Sequence, residues 1–323
     1  MMKIKGIHHI SAITQNVQEN YNFYSKVLGL KLIKNTIRFG DETSRKLYYA
    51  NNVSEPMPIL SFMERKNALE TVTGNNEITT TSLLVANDES LAFWKERFES
   101  LSVEYGEFIT MGERKALPFK DTEGRKLLLL STNDLYQSKD NDFLTEQSIP
   151  AEHQIISSGP TVITVKNEQE STIVLKEVLS FKEIESYPSF IEEGTNIKVL
   201  SSDKPQLHNE IHLQLSDNFT QGKTGFSSIH HIAFRVKGIE ELREWRDLFE
   251  RIRMPNSGIL NHHYYKSIYF RDGNGILYEL ATDEPGFTID EDIEELGTTL
   301  SLPRSLKKQR SKIEESLTPL ALS

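Results

Sequence analysis

The 323-residue chain contains no cysteine. That excludes a disulfide framework, a thiolate-held zinc or iron–sulfur site and a cysteine nucleophile. No run approaches the 18 apolar residues of a membrane-spanning helix, and MMKIKGIHHIS lacks the apolar stretch of a secretory signal. Basic residues are outnumbered, 37 against 47, leaving a net charge of −10. Nonspecific nucleic-acid binding rests on clustered Lys and Arg, so no nucleic-acid partner is expected. These absences describe a cytoplasmic globular protein without membrane contact.

What is present is a pattern of histidines. Six of the nine form adjacent pairs: His8–His9, His230–His231 and His262–His263. Random placement gives about 0.25 such pairs in a chain of this composition. His153, His208 and His212 lie in a weaker stretch and receive no role.

The pairs fall within a repeat. Four segments begin with a β-like run, pass a polar cap and continue as an amphipathic helix: GIHHISAIT, TTTSLLV, GPTVITV and SIHHIAFRV open them. The helical stripes read Val17, Tyr21, Tyr24 and Leu28; Leu91, Trp94, Phe98 and Leu101; Leu175, Val178 and Leu179; Leu242, Trp245, Phe249 and Ile252. Asn16 and Glu19 resemble a capping box. More strand-like runs follow each helix, and Asn274-Gly275 marks a hairpin turn. The predicted fold is α+β, four β-α-β-β-β modules paired into two barrel-like cups. In sequence order the chain divides at 1–150, 151–286 and a 287–323 tail, with a helix expected from about Arg304 to Leu317.

The same opening-strand position carries His9 and His231 in modules one and four, but Thr80 and Pro160 in modules two and three. Neighbouring strand residues point to opposite faces, so one ring of each pair is expected to face a cavity and the other away. Glu279 sits inside the apolar run ILYELAT, where a carboxylate is costly unless paired or metal-bound. The aligned residue of module two is Leu128. His9, His231 and Glu279 make a two-His, one-carboxylate set with open positions, as in non-haem Fe(II) oxygenases. Without thiolate the set suits Fe(II) or Mn(II), and Zn(II) also fits these residue types. A site drawing one ligand from module one and two from module four requires those modules to share a cup.

These modules, with GIHHISAIT, SIHHIAFRV, KSIYF and GILYELATDEPGF, resemble the ring-cleaving dioxygenases of the vicinal oxygen chelate superfamily, closest to hydroquinone-type enzymes. The resemblance runs from about Gly6 through the tail. It implies a cytoplasmic, homo-oligomeric enzyme that opens a para-diol ring with O2, in aromatic or quinone detoxification or catabolism. It also implies Fe(II), with Mn(II) as the alternative, held by His9, His231 and Glu279. His8 and Ser11 are implied as substrate contacts, His230 or His262 as proton acceptor and Tyr269 as donor. One position departs: His262 stands where the family commonly has Arg, which replaces a fixed cation with a titratable ring. Three other readings use the same residues. They are a catechol-cleaving enzyme, a glyoxalase-like isomerase with a fourth ligand near Ser61–Glu64, and a metal-free drug-binding protein.

Overall fold

The computed structural model describes residues 2–51, 59–135, 148–202, 206–217 and 220–322. Among the described residues each module has four strands and one α-helix. Module one runs β1 (Ile7–Thr14), α1 (Val17–Tyr21), β2 (Lys31–Arg38), β3 (Asp41–Ala50) and β4 (Leu60–Glu64). Module two runs β5 (Glu77–Val85), α2 (Asp88–Ser100), β6 (Ile109–Met111), β7 (Arg114–Lys120) and β8 (Lys126–Ser131). Module three runs β9 (Ser157–Val165), α3 (Glu168–Thr172), β10 (Lys182–Pro188), β11 (Asn196–Ser201) and β12 (Glu210–Leu215). Module four runs β13 (Ile229–Val236), α4 (Ile239–Arg251), β14 (Leu260–Asn261), β15 (Tyr265–Arg271) and β16 (Leu277–Pro285).

In every module the last strand lies parallel to the first: β4 on β1, β8 on β5, β12 on β9 and β16 on β13. Parallel neighbours need a long crossover, which the helix and two intervening strands supply. The opening strands then pair between modules. β1 is antiparallel to β13, and β5 to β9. Modules one and four therefore share one curved half-sheet, β2-β3-β4-β1-β13-β16-β15-β14, and modules two and three share the other. The halves join through a bridge between Ile78 and Ile229, and the sheet does not close on itself.

The helices pack one face on the sheet. α2 buries Leu91, Trp94 and Phe98, and α4 buries Leu242, Trp245 and Phe249 in the same core. The fourth member of each predicted stripe does not join them: Leu101 is 47% and Ile252 44% exposed. Both are C-cap residues, already turned off the helical face. In modules one and three the expected helix changes pitch and continues as π-helix over Asn22–Val27 and Ile173–Val178. Asn16 caps α1 by accepting from the amides of Gln18 and Glu19. The reciprocal half of the capping box is replaced by a neighbour, since the Asn16 amide donates to Glu123 Oε1 at 3.1 Å.

The tail is part of module one's surround. Thr36 Oγ1 donates to the Ser301 carbonyl at 2.7 Å, and Arg45 Nε to the Thr318 carbonyl at 2.7 Å. Lys34, fully buried, pairs with Asp290 at 2.8 Å and with Glu291. The helix expected from Arg304 begins as 3-10 turns over Arg304–Gln309 and becomes α5 (Arg310–Ser316).

Candidate metal centre

The β1–β13 pairing brings the two histidine pairs together. Ser11 faces His231 across the ladder, and His9 faces Ala233. On the other side of β13, Ala233 is level with Glu279 of β16. Three side chains distant in sequence thus reach one face of one half-sheet. His9 Nε2 and His231 Nε2 lie 3.4 and 3.0 Å from the same oxygen, Glu279 Oε2. All three residues are buried, and their ligand atoms lie within 4.8 Å of one another. Both Nε2 atoms and both carboxylate oxygens are buried without a hydrogen-bond partner among the described residues. Buried polar atoms left unpaired are costly, and four converging on one point are the geometry a cation would satisfy. Burial above all pushes both imidazoles below their usual pKa, in the direction of the neutral form that a metal ion would need.

The other member of each pair does not turn fully away, because each strand carries a bulge at that residue. Between Ile7 and His9 β1 advances two positions while β13 advances one, so His8 is the extra residue; between Ser11 and Ala12 the extra residue is His230 of β13. A bulge re-aims the side chain it inserts. His8 Nδ1 comes to 2.9 Å from His9 Nδ1, and His230 Nδ1 to 2.8 Å from His231 Nδ1. Burial lowers His8 to about 3 and His230 to about 2.

A cavity of about 200 Å³ adjoins the triad. His230, His262 and Tyr269, all candidate site residues from the sequence, line it. His262 Nε2 is 2.9 Å from Ser267 Oγ and 3.8 Å from Glu279 Oε1, and its ring stacks on Tyr265 at 4.8 Å. Burial lowers its pKa to about 4. The Tyr269 ring stands 5.2 Å from His231, and burial, then the Glu279 charge, raises its phenol. His263 turns elsewhere, with Nε2 3.7 Å from Asp290. His8 and Ser11 do not line the cavity wall; Ser11 reaches it through Lys46, whose Nζ donates to Ser11 Oγ at 2.8 Å.

The wall residues missed from the sequence include Arg38, Phe39, Lys46 and Tyr48. A lysine opening the apolar run KLYYA was the available signal, of the same kind that singled out Glu279. Phe39, 54% exposed at the β2–β3 turn, lies 5.0 Å from the His262 ring at the cavity mouth.

Residues 6–127 match the family described as Glyoxalase/Bleomycin resistance protein/Dioxygenase superfamily. Over 320 residues, 99% of this chain and all of the relative, the chain is 38% identical to a Bacillus subtilis protein named "Putative ring-cleaving dioxygenase MhqA". The chain belongs to the glyoxalase/bleomycin resistance protein/dioxygenase superfamily. Within that superfamily the full-length match puts it with the ring-cleaving dioxygenases. A crystal structure of a Bacillus subtilis "putative dioxygenase" superposes with TM-score 0.88 at 28% identity, covering 100% of this chain and 99% of that one. The chlorohydroquinone/hydroquinone 1,2-dioxygenase of Sphingobium indicum is 22% identical over 321 residues, 96% of this chain and 95% of its own.

In this superfamily member the position on β4 that corresponds to Glu279 is not a carboxylate. Glu279 is level with the residue two after His231, and Ser61 is level with the residue two after His9. Glu64, the candidate fourth ligand, lies three residues further on. It accepts from the Arg45 amide at 2.9 Å and from the Thr318 hydroxyl. It is thereby tied to the tail and held out of the cluster.

Proposed function

We propose that the protein is a non-haem Fe(II)-dependent dioxygenase that opens the ring of a hydroquinone-type substrate with O2. The observation that carries this reading is the convergence of His9, His231 and Glu279, buried and unpaired, with Ser61 where a fourth ligand would stand. Three ligands leave coordination positions open, as the non-haem Fe(II) oxygenases require. The name of the Sphingobium relative supports a para-diol.

In this reading His9, His231 and Glu279 hold Fe(II), with Mn(II) the alternative. When bound, that ion supplies a Lewis acid for a ring hydroxyl and an electron path to O2. The bulged histidines set its ligands. A ring ligating through Nε2 carries its proton on Nδ1, so His9 donates to His8 and His231 to His230. His8 and His230 then bear their own protons on Nε2. His230 becomes a donor in the cavity, which leaves His262 to accept the substrate proton. Tyr269 donates to a substrate or oxygen atom. A cavity of about 200 Å³ takes a single substituted ring, since about 150 Å³ already admits benzene. Tyr265, Phe39 and Leu277 supply apolar walls that exclude water. We place the enzyme in the cytoplasm, as a homo-oligomer, in the catabolism or detoxification of quinone-forming aromatics.

The test is anaerobic reconstitution with Fe(II), then oxygen uptake against hydroquinones, catechols and a hemithioacetal. Uptake stoichiometric with a hydroquinone, abolished together with iron retention in Glu279→Ala, is the expected result. Turnover of the hemithioacetal alone, or full oxygen uptake in Glu279→Ala, would overturn the reading.

A further inference from the structure

Among the described residues, Lys46 is the one lysine in the wall of the cavity that adjoins the triad, and it is 6% exposed. An ammonium has three donors. One is taken by Ser11 Oγ, and the group lies 5.3 Å from the centroid of the Tyr48 ring, whose own hydroxyl is engaged with Tyr265 at 3.3 Å. Among the described residues no carboxylate lies within ion-pair distance of it. The other cation of the wall, Arg38, has a partner in Asp41 at 3.7 Å. The negative charge that bears on Lys46 is that of Glu279, which is the charge a bound cation would neutralise.

A buried charge without a counter-charge is expensive, and evolution had cheaper side chains for filling this position. Burial accordingly lowers the Lys46 pKa to about 7. The cost is recovered if an anion enters the cavity. Serine and tyrosine hold the ammonium in place for it: Ser11 lies on β1, two residues after His9, and Tyr48 lies two residues along β3 from Lys46. The ammonium therefore belongs to the same face as the triad while remaining on a different strand from every member of it.

We propose that Lys46 is a specificity-determining residue that binds an anionic oxygen of the ring substrate other than the one ligated to the metal. Two sources share that chemistry, a second ring hydroxyl held as phenolate and a ring carboxylate. The inference rests on the ring-cleaving reading for its substrate. It does not depend on ring opening, because it concerns binding.

The experiment is anaerobic calorimetric titration of the Fe(II)-loaded protein with three ligands: hydroquinone, 4-methoxyphenol and 2,5-dihydroxybenzoate. 4-Methoxyphenol keeps one ligating hydroxyl and blocks ionisation of the other oxygen. A hydrogen bond to a charged group predicts that wild type prefers an ionisable ligand over 4-methoxyphenol by about 10- to 100-fold. A preference for hydroquinone identifies the phenolate, and one confined to 2,5-dihydroxybenzoate identifies the carboxylate. Lys46→Met is expected to bring the preference below about threefold, and Lys46→Arg to retain most of it. Absence of any preference in wild type, or its survival intact in a folded Lys46→Met variant, overturns the proposal. Oxygen uptake measured in parallel separates the two readings: lost uptake with preserved preference strikes the dioxygenase assignment and leaves Lys46 its role.

Discussion

His8 Nδ1 lies 2.9 Å from Nδ1 of His9, its immediate neighbour on the same strand. Ordinary strand alternation would separate these rings, and the bulge at His8 is what brings them together. The contact fixes which nitrogen of His9 keeps a lone pair for a metal. His8→Phe preserves a ring and removes the acceptor. It is expected to weaken metal affinity by about 10- to 100-fold while leaving the far-UV circular dichroism unchanged. Competition with a chelator of known affinity measures the loss.

Lys46→Met should stabilise the metal-free protein at neutral pH, by on the order of 1–3 kcal/mol. The sign follows from the lowered pKa. Between about 7 and the ordinary lysine value of 10.5 the unfolded chain binds the proton that the folded chain has released. Wild-type stability therefore rises with pH across that window, whereas the variant has no such proton. The advantage of the variant is full below pH 7 and disappears near pH 10. Urea unfolding at pH 7.0 and 9.5 tests both the gap and its closure.

Acid works on the histidines in the same sense. His8, His230 and His262 titrate near 3, 2 and 4 when folded, with burial as the main cause. Unfolded, each returns to the ordinary value of 6.5. Below pH 6.5 the unfolded state binds more protons, so stability falls as pH falls and continues to fall toward pH 4. Urea midpoints of the metal-free protein should drop steadily from pH 7 to pH 5. A flat profile would show that these rings are not buried as neutral groups.

The tail is held in part by a buried cation. Lys34 is fully buried, pairs with Asp290 and Glu291, and lies 4.8 Å from the Tyr264 ring centroid. Lys34→Ala leaves two largely buried carboxylates facing each other, and breaking a buried pair from one side costs about 3–5 kcal/mol. The expected phenotype is a lower melting temperature and faster proteolysis within 286–322. A thermal shift and limited trypsin digestion read these out.

Much of the architecture was legible because its causes are local. Alternating and helical periodicities specify the four modules, and the absence of His from the opening-strand position of the inner modules, where Thr80 and Pro160 stand, marks the outer strands that pair. Glu279 stood out because a carboxylate in an apolar strand is costly unless it is paired or bound to a metal. Lys46 carries the same signal, but a lysine next to Ser44 and Arg45 reads in sequence as the polar start of a strand. Its burial comes from β1 and β4, which no local pattern reveals. The bulges at His8 and His230 were invisible for a related reason. A bulge is a mismatch of count between two strands far apart in the chain, and neither strand alone records it. The exposed Leu101 and Ile252 show the opposite limit, a periodicity that outlasts the helix it describes.

The β1–β13 ladder also orders events during synthesis. β5 and β9 lie near one another in the chain and can pair as soon as module three has emerged. β1 is the first strand made and lacks this partner until β13, the thirteenth of the sixteen described strands, is released. An unpaired edge of this kind invites association with other nascent chains. His9 is thus the oldest residue of a centre whose last member, Glu279, is among the youngest. A chain that stops short of β16 can build the inner half-sheet and still lack Glu279, so capture of the proposed metal would report that synthesis had passed the last strand of module four.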